Sequence, residues 1–317
     1  MQHYGFIPSP QHTTDWQFGG LSGIENREVL RSDGQWDSYL PPLEIQRNDS
    51  FDTMSCVTFS ALNCLETLLR RKYDEEVNFS DRFTASMSGT TIQGNNFWNV
   101  AESIRKDGLV EESHWPFLPF IKFIDDYLEK PPEQVQIEAK RVYERFKISY
   151  ESVWDTPEKL MDALQYAPIQ VAFHAYCPVD TQGIHQRCAG RGNHAVMLYG
   201  YVVGQYWKIY DHYERKLKQL AWDTVFYGAY KYDISKITPI AQPPMALKEN
   251  VLYQLVEGSG GFILMAAGKP RFDDTAKLLA SWAVRNQGKT EGMVGTLTLK
   301  DLAGHQLVNL KGEPVTL

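Results

Sequence analysis

Apolar residues recur at helical spacing from Val57 to Lys72, at Val57, Leu62, Leu65, Leu68 and Leu69, with Glu66, Arg70, Arg71 and Lys72 left for a solvent side. This pattern predicts a helix that opens at Cys56. Further helical patterns run from Asn96 to Asp107 and from Pro132 to Phe146, and a third from Pro157 to Tyr166 carries proline in its first turn. Strand-like runs dominate from Ile169 onward. Gly192 to Tyr201 and Tyr206 to Asp211 are rich in β-branched and aromatic residues and are separated by Val203-Gly204-Gln205, so they read as two antiparallel strands joined by a turn. A helical half followed by a β-rich half is an α+β arrangement.

Residues 1–40 follow neither period. They are rich in Gly, Pro, Ser and polar groups, with Trp16, Phe18 and Trp36 as isolated anchors, and read as an irregular arm that either packs on the main domain or covers its cleft. Residues 41–238 form that main domain. Adjacent prolines favour extended chain, so Ile237 to Pro244 reads as the start of a linker, placed at 239–250. Beyond it, short apolar runs at Val251–Leu255, Gly261–Ala266, Gly295–Leu299 and Gln306–Leu310 alternate with glycines around one helical stretch, Thr275 to Val284. A small β-rich accessory domain over 251–317 is expected. With no cysteine and one histidine, His305, it has little catalytic equipment, and its expected role is to bind a polymer, a cell surface or an assembly partner.

Composition narrows the classes. At 317 residues with 43% hydrophobic content the chain is an ordinary globular protein, and its net charge of −7 without a block of like charges argues against nucleic acid or an anionic membrane as partner. No run is long enough to cross a bilayer, and the first residues lack the basic-then-apolar pattern of a signal peptide. A cytoplasmic location is expected, with a virion-associated or exported form left open. Only Cys56, Cys64, Cys177 and Cys188 are present, which agrees with a reducing compartment. His174-Ala175-Tyr176-Cys177 and His185-Gln186-Arg187-Cys188 repeat an H-x-x-C pattern whose spacing fits no standard zinc finger; free thiols are expected there, with a local disulfide or a zinc site as alternatives. No cofactor is expected.

The candidate chemistry starts at Cys56. A thiol attacks a carbonyl only as thiolate, and a helix N-terminus or an imidazolium favours that form. The hairpin can bring His194, at one strand start, beside Asp211 at the far end of the next, and a carboxylate on one ring nitrogen leaves the other facing a thiol.

In these residues the chain resembles the papain family of cysteine peptidases, from about Pro41 to Ile234. The matching segments, in the family's order, are Ser55–Ala61, Ser80–Phe83, Gln93–Trp98, Gly108–Phe117, Ala167–Ala172, the His194 run and Tyr206–Asp211. His194 follows Cys56 by 138 residues, within the family's range. The resemblance implies a papain-like fold around a cleft, Cys56 as nucleophile, His194 as general acid and base, Asp211 as the residue orienting it, and Gln46 with the Cys56 amide as oxyanion donors. It further implies peptide or protein substrates, with Gly94, Asn95 and Asn96 along the peptide backbone, Phe97, Trp98, Ala172 and Ala195 about the main specificity pocket, and Asn193 as a further substrate-binding residue. Such an apolar wall favours a bulky hydrophobic side chain one residue before the scissile one.

Three departures stand out. The family usually has asparagine where Asp211 stands, which changes the electrostatics more than the geometry. Gln46 lies ten residues before the cysteine rather than six, which a four-residue insertion within Asn48–Thr53 would explain. Tyr213 occupies the place of a shielding tryptophan. The reading is therefore a cysteine endopeptidase working through a thioester, against two alternatives: a peptidoglycan amidase or transglutaminase-like acyl transferase, and an inactive structural or binding protein on the same scaffold.

Overall fold

The computed structural model describes residues 4–10, 16–19, 28–237, 247–249, 251–255, 262–266, 268–285, 295–297, 302 and 304–316. Its chain divides into two units, Met1–Ile237 and Thr238–Leu317.

The spine of the first unit is helix α1, Cys56–Tyr73, in which every residue from Cys56 to Leu69 is buried. Glu66, expected on a solvent side, is buried too, because α1 is wrapped by the sheet on one side and by helices on the other. Its carboxylate accepts from the Phe79 amide (2.9 Å) and the Asn63 side chain (3.3 Å). Only the last turn is left less covered. There Arg70 and Arg71 donate to the carbonyls of Leu40 and Leu30, and Asp74, left-handed at φ 55°, ends the helix with its amide on the Arg70 carbonyl.

The other helices of this unit are α2 (Asp81–Met87), α3 (Phe97–Asp107), α4 (Ile124–Tyr127), α5 (Glu133–Lys140), α6 (Val142–Arg145) and α7 (Pro157–Leu164). The helical pattern from Pro132 to Phe146 thus splits in two and stops where Phe146-Lys147-Ile148-Ser149-Tyr150 starts an apolar–polar alternation. That alternation forms strand β1, Phe146–Ser152, with Phe146, Ile148 and Tyr150 buried.

Strands β2 (Ile169–Phe173), β3 (Ile184–His185), β4 (His194–Val202), β5 (Tyr206–Asp211), β6 (Lys216–Ala221) and β7 (Phe226–Lys236) join β1 in a seven-stranded sheet of order β1-β7-β2-β4-β5-β6-β3. Pairing is antiparallel apart from β3 with β6. Its central strands β2 and β4 lie against α1, so the nucleophile helix and the histidine strand share one core.

Cys177 and Cys188 form a disulfide, which corrects the expectation of free thiols. The chain between them doubles back through the Val179–His185 bridge and the Gln186 amide on the Pro178 carbonyl, which brings the two Cα atoms to 5.7 Å. His174 and His185 each contact a backbone carbonyl, of Arg191 and Cys177. The bridge removes the support that cysteine usage lent to a reducing compartment. Among the described residues no helix is long and apolar enough to cross a membrane.

The second unit holds strands β8 (Leu252–Leu255), β9 (Phe262–Ala266), β10 (Lys269–Phe272) and β11 (Gly295–Leu297) in the order β10-β9-β8-β11, with helix α8 (Thr275–Arg285). Leu278 and Trp282 of α8 pack on Leu252, Leu264 and Ala266. The Gln306–Leu310 run forms no strand and only bridges Val308 to Arg271 and Pro314. Most of the expected linker lies outside the described residues.

Candidate active site

His194 opens β4 and Asp211 closes β5, and the antiparallel pairing of these strands sets their side chains together. His194 Nε2 lies 3.1 Å from Asp211 Oδ1, with both residues fully buried. An ionised carboxylate only accepts, so the ring proton on this side sits on Nε2. Among the described residues His194 Nδ1 has no hydrogen-bond partner. Asp211 Oδ1 also accepts from the Tyr213 amide (3.0 Å), while Oδ2 takes the Tyr176 hydroxyl (2.6 Å) and an ion pair with Lys218 Nζ (2.5 Å). Burial alone would raise the Asp211 carboxyl. The hydrogen bond and charge of His194, with Lys218, outweigh it and hold the carboxyl well below the usual range.

Aromatic rings enclose this pair. Tyr4, Tyr176, Phe173 and Tyr213 have ring centroids 5.2, 5.5, 5.9 and 5.9 Å from that of His194. Tyr213 therefore shields the histidine in company rather than alone. The adjacent His212, stacked on Phe59, is pushed down to about 3 by burial and by the neighbouring His194, so it stays neutral and does not compete for the proton.

Cys56 is the first residue of α1 and is fully buried. Burial pushes its thiol up, and the charges of Asp52 and Asp211 add to that, against the backbone amides of Ala195 and Val57 that favour the thiolate. Its turn is fixed to the sheet by Gln170 of β2, which donates to the Val57 carbonyl (2.6 Å) and Ser60 Oγ (2.9 Å) and accepts from Tyr232 (2.9 Å).

Gln46 reaches the site despite its distance in sequence. The chain after it makes a tight turn, closed by the Arg47–Asp52 bridge and the Asn48 amide on the Phe51 carbonyl, with Asn48 Oδ1 accepting from Ser50 and Phe51. Asn48 to Phe51 are thereby looped out. The Gln46 amide is anchored on the His212 carbonyl, and its side-chain Nε2 donates to Asp52 Oδ1 (3.0 Å) and to the carbonyl of Tyr4 (3.3 Å).

That last contact belongs to the N-terminal arm, which covers the cleft. The Tyr4 amide donates to the Asn193 carbonyl (3.1 Å), the Asn95 amide to Gly5, and the Ile7 amide back to Asn95 (2.8 Å). Phe6 pairs with Asn95 and its ring lies 5.1 Å from Phe97, with Phe6 only 1% exposed. The fit needs two glycines: a Cβ on Gly94 would collide with the Gly5 carbonyl, and one on Gly5, at φ +104°, with the Met54 carbonyl.

Of the residues expected to bind substrate, Asn193, Asn95 and Phe97 touch this strap directly. Gly94 lies beneath it, and Ala172 and Ala195 are paired partners in the buried floor. Asn96 instead caps α3 by accepting from the Asn99 amide (2.9 Å), and the partly buried Trp98 reaches the arm through its amide on Ser9 Oγ (3.4 Å). Lys218, Tyr176, Asp52 and Tyr4 carry no local sequence signal. Lys218 could have been found only from the register: Asp211 pairs with Lys216 and Ile209 with Lys218, which puts Lys218 diagonally across the same face from Asp211.

No curated protein matches the chain. Among solved structures, Xylellain, a cysteine protease from Xylella fastidiosa, is 16% identical with a TM-score of 0.53, over 74% of this chain and 97% of its own. Bromelain from Ananas comosus, in complex with the E64 inhibitor, is 17% identical over 62% of this chain and 96% of its own, with a TM-score of 0.46. At such identity the Xylellain match speaks to fold alone. The family model described as papain family cysteine protease matches residues 46–235, more than half of the chain and the whole span from Gln46 through the histidine–aspartate hairpin, so this chain belongs to that family.

Proposed function

We propose that the first unit is a cysteine endopeptidase in which Cys56, His194 and Asp211 form the triad. The observation that carries this is the buried imidazole with one nitrogen tied to a carboxylate and the other, Nδ1, without a partner among the described residues, while the Cys56 thiol at a helix start meets the backbone amide of Ala195, the residue after His194. In the reaction Cys56 gives its proton to Nδ1, and the thiolate adds to the peptide carbonyl. The oxyanion is stabilised by Gln46 Nε2 and the Cys56 amide, the imidazolium protonates the leaving amine, and a thioester remains. Water, deprotonated by His194, then releases the acid and restores the thiol.

The strap occupies the donors and acceptors this requires. Tyr4 uses the Asn193 carbonyl and the Gln46 side chain as a substrate peptide unit would, and Phe6 fills the apolar space before Phe97. We infer that residues 4–7 must leave before substrate enters, and that burial beneath them keeps the thiol protonated at rest. The lining of Phe97, Ala172 and Ala195 supports a preference for a bulky apolar side chain one residue before the cleaved one. Turnover of a fluorogenic peptide library beside a peptidoglycan digest tests the assignment. Peptide cleavage lost in Cys56→Ala is the expected result, and cleavage of peptidoglycan alone would replace the endopeptidase with an amidase.

A further inference from the structure

Lys218 is a buried cation paired with Asp211. Its side chain is 7% exposed, its Nζ lies 2.5 Å from Asp211 Oδ2 and 2.8 Å from Glu214, and it stands over the Tyr176 ring at 3.7 Å from the centroid. Glu214 shares Lys218, which holds its carboxyl below the usual range, but at 42% side-chain exposure it is screened by solvent, and Asp211 is the fully buried anion opposite the ammonium. The two carboxylate oxygens divide the work: Oδ1 faces His194 and Oδ2 faces Tyr176 and Lys218.

We propose that Lys218 is a charge-balancing positioning residue, whose ammonium neutralises Asp211 so that the pair offers His194 a neutral hydrogen-bond acceptor instead of a bare anion. This rests on the triad reading above. An anion beside a protonated imidazole holds its proton, and in a buried site little else screens it. His194 has to give a proton to the leaving amine, so an unbalanced Asp211 would make it a poorer acid. The carboxylate keeps its orienting bond while Lys218 removes the excess charge.

Other charged or titratable groups face this pair. They are Cys56 from α1, Arg47 and Asp52 from the turn before it, Tyr4 from the arm, and Tyr176, just before the disulfide loop, with His185 of that loop behind it. Beyond β5 come His212, Tyr213 and Glu214, and Lys216 lies across from Asp211 on β6. All of them are retained when residue 211 or 218 is substituted, so a change of charge at either position is read against a constant background.

The test is the pH profile of Cys56 alkylation by iodoacetamide in the full chain carrying Gly5→Val, which frees the site of the arm and is the reference for every variant, scored by peptide mass mapping as the position of the alkaline limb, alongside thermal unfolding. Lys218→Met should move the limb up by about one pH unit, Asp211→Asn should move it down, and the double variant should return it to the reference position. Lys218→Arg, which keeps the charge, should leave it in place. A folded Lys218→Met whose limb does not move overturns the proposal, as does a double variant displaced as far as either single one. Should Lys218→Met alone fail to fold, the double variant, which buries no unpaired charge, decides by the same criterion. A Cys56 that is not alkylated at any pH in the Gly5→Val protein would overturn the triad reading itself, and this inference with it.

Discussion

The side-chain amide of Gln46 donates to the main-chain carbonyl of Tyr4 across 3.3 Å, so the candidate oxyanion donor is already engaged by the chain's own arm. The strap runs through the cleft with Phe6 parallel to Asn95, held by backbone hydrogen bonds and by one apolar side chain. A segment bound this way competes with substrate as a tethered ligand at high effective concentration.

Gly5→Val should therefore raise activity. A Cβ at residue 5 meets the Met54 carbonyl and a backbone conformation that L side chains rarely adopt, so the bound arm is disfavoured by more than about 1.4 kcal/mol while the rest of the fold is untouched. The alkylation rate of Cys56 should rise about tenfold or more. An unchanged rate, with thermal unfolding also unchanged, would show that the arm does not restrain the site.

Gln46→Ala separates oxyanion stabilisation from packing. Measured with Gly5→Val to remove the arm, it should lower kcat by about a hundredfold to a thousandfold with little change in KM, since the bond strengthens only as charge develops on the carbonyl. A change confined to KM would mean that Gln46 holds substrate without stabilising the transition state.

A buried acidic cluster gives the fold an acid bias. Glu66 is pushed up to about 8 and Glu44 to about 7, in each case by burial first and then by a neighbouring carboxylate, and Asp81 is raised for the same reasons. Carboxyls raised above their unfolded values contribute stability that is complete at acid pH and is lost as pH rises from about 4.3 through their folded values. The melting temperature should thus fall between mildly acidic and mildly alkaline pH. Glu66→Gln keeps an acceptor for the Phe79 amide and should flatten that fall by a few kcal/mol or less, about the value of one displaced proton equilibrium. An equally steep fall in Glu66→Gln would remove Glu66 from the cause.

The Cys177–Cys188 bridge closes a short loop that begins directly after Tyr176, the partner of Asp211. Replacing both cysteines by serine should cost about 2–3 kcal/mol in denaturant unfolding, from the freed loop in the unfolded chain. No loss would mean that the hairpin between them holds itself.

Periodicity made α1 and the β4–β5 hairpin legible, and with them Cys56, His194 and Asp211, because each signal lies within one or two adjacent elements. The insertion before Cys56 was legible as a length, and the structure adds the Asn48 turn that absorbs it. What the chain did not disclose depends on distant neighbours. Glu66 is buried because other elements close over its face, β1 begins inside an apparent helical run because β7 pairs with it, and the disulfide forms because a short hairpin doubles back. Lys218 is one of several lysines until the strand register sets it against Asp211.

The central claim is that Cys56 is a nucleophile activated by His194. Its most direct measurement is site-resolved alkylation by iodoacetamide at about pH 5.5 in the Gly5→Val protein, where an isolated thiol is almost wholly protonated. Activation by His194 predicts that Cys56 is labelled well before the buried Cys64, and that His194→Ala removes this preference without unfolding the protein. Equal labelling of the two thiols, or labelling of Cys56 that persists in His194→Ala, would contradict it.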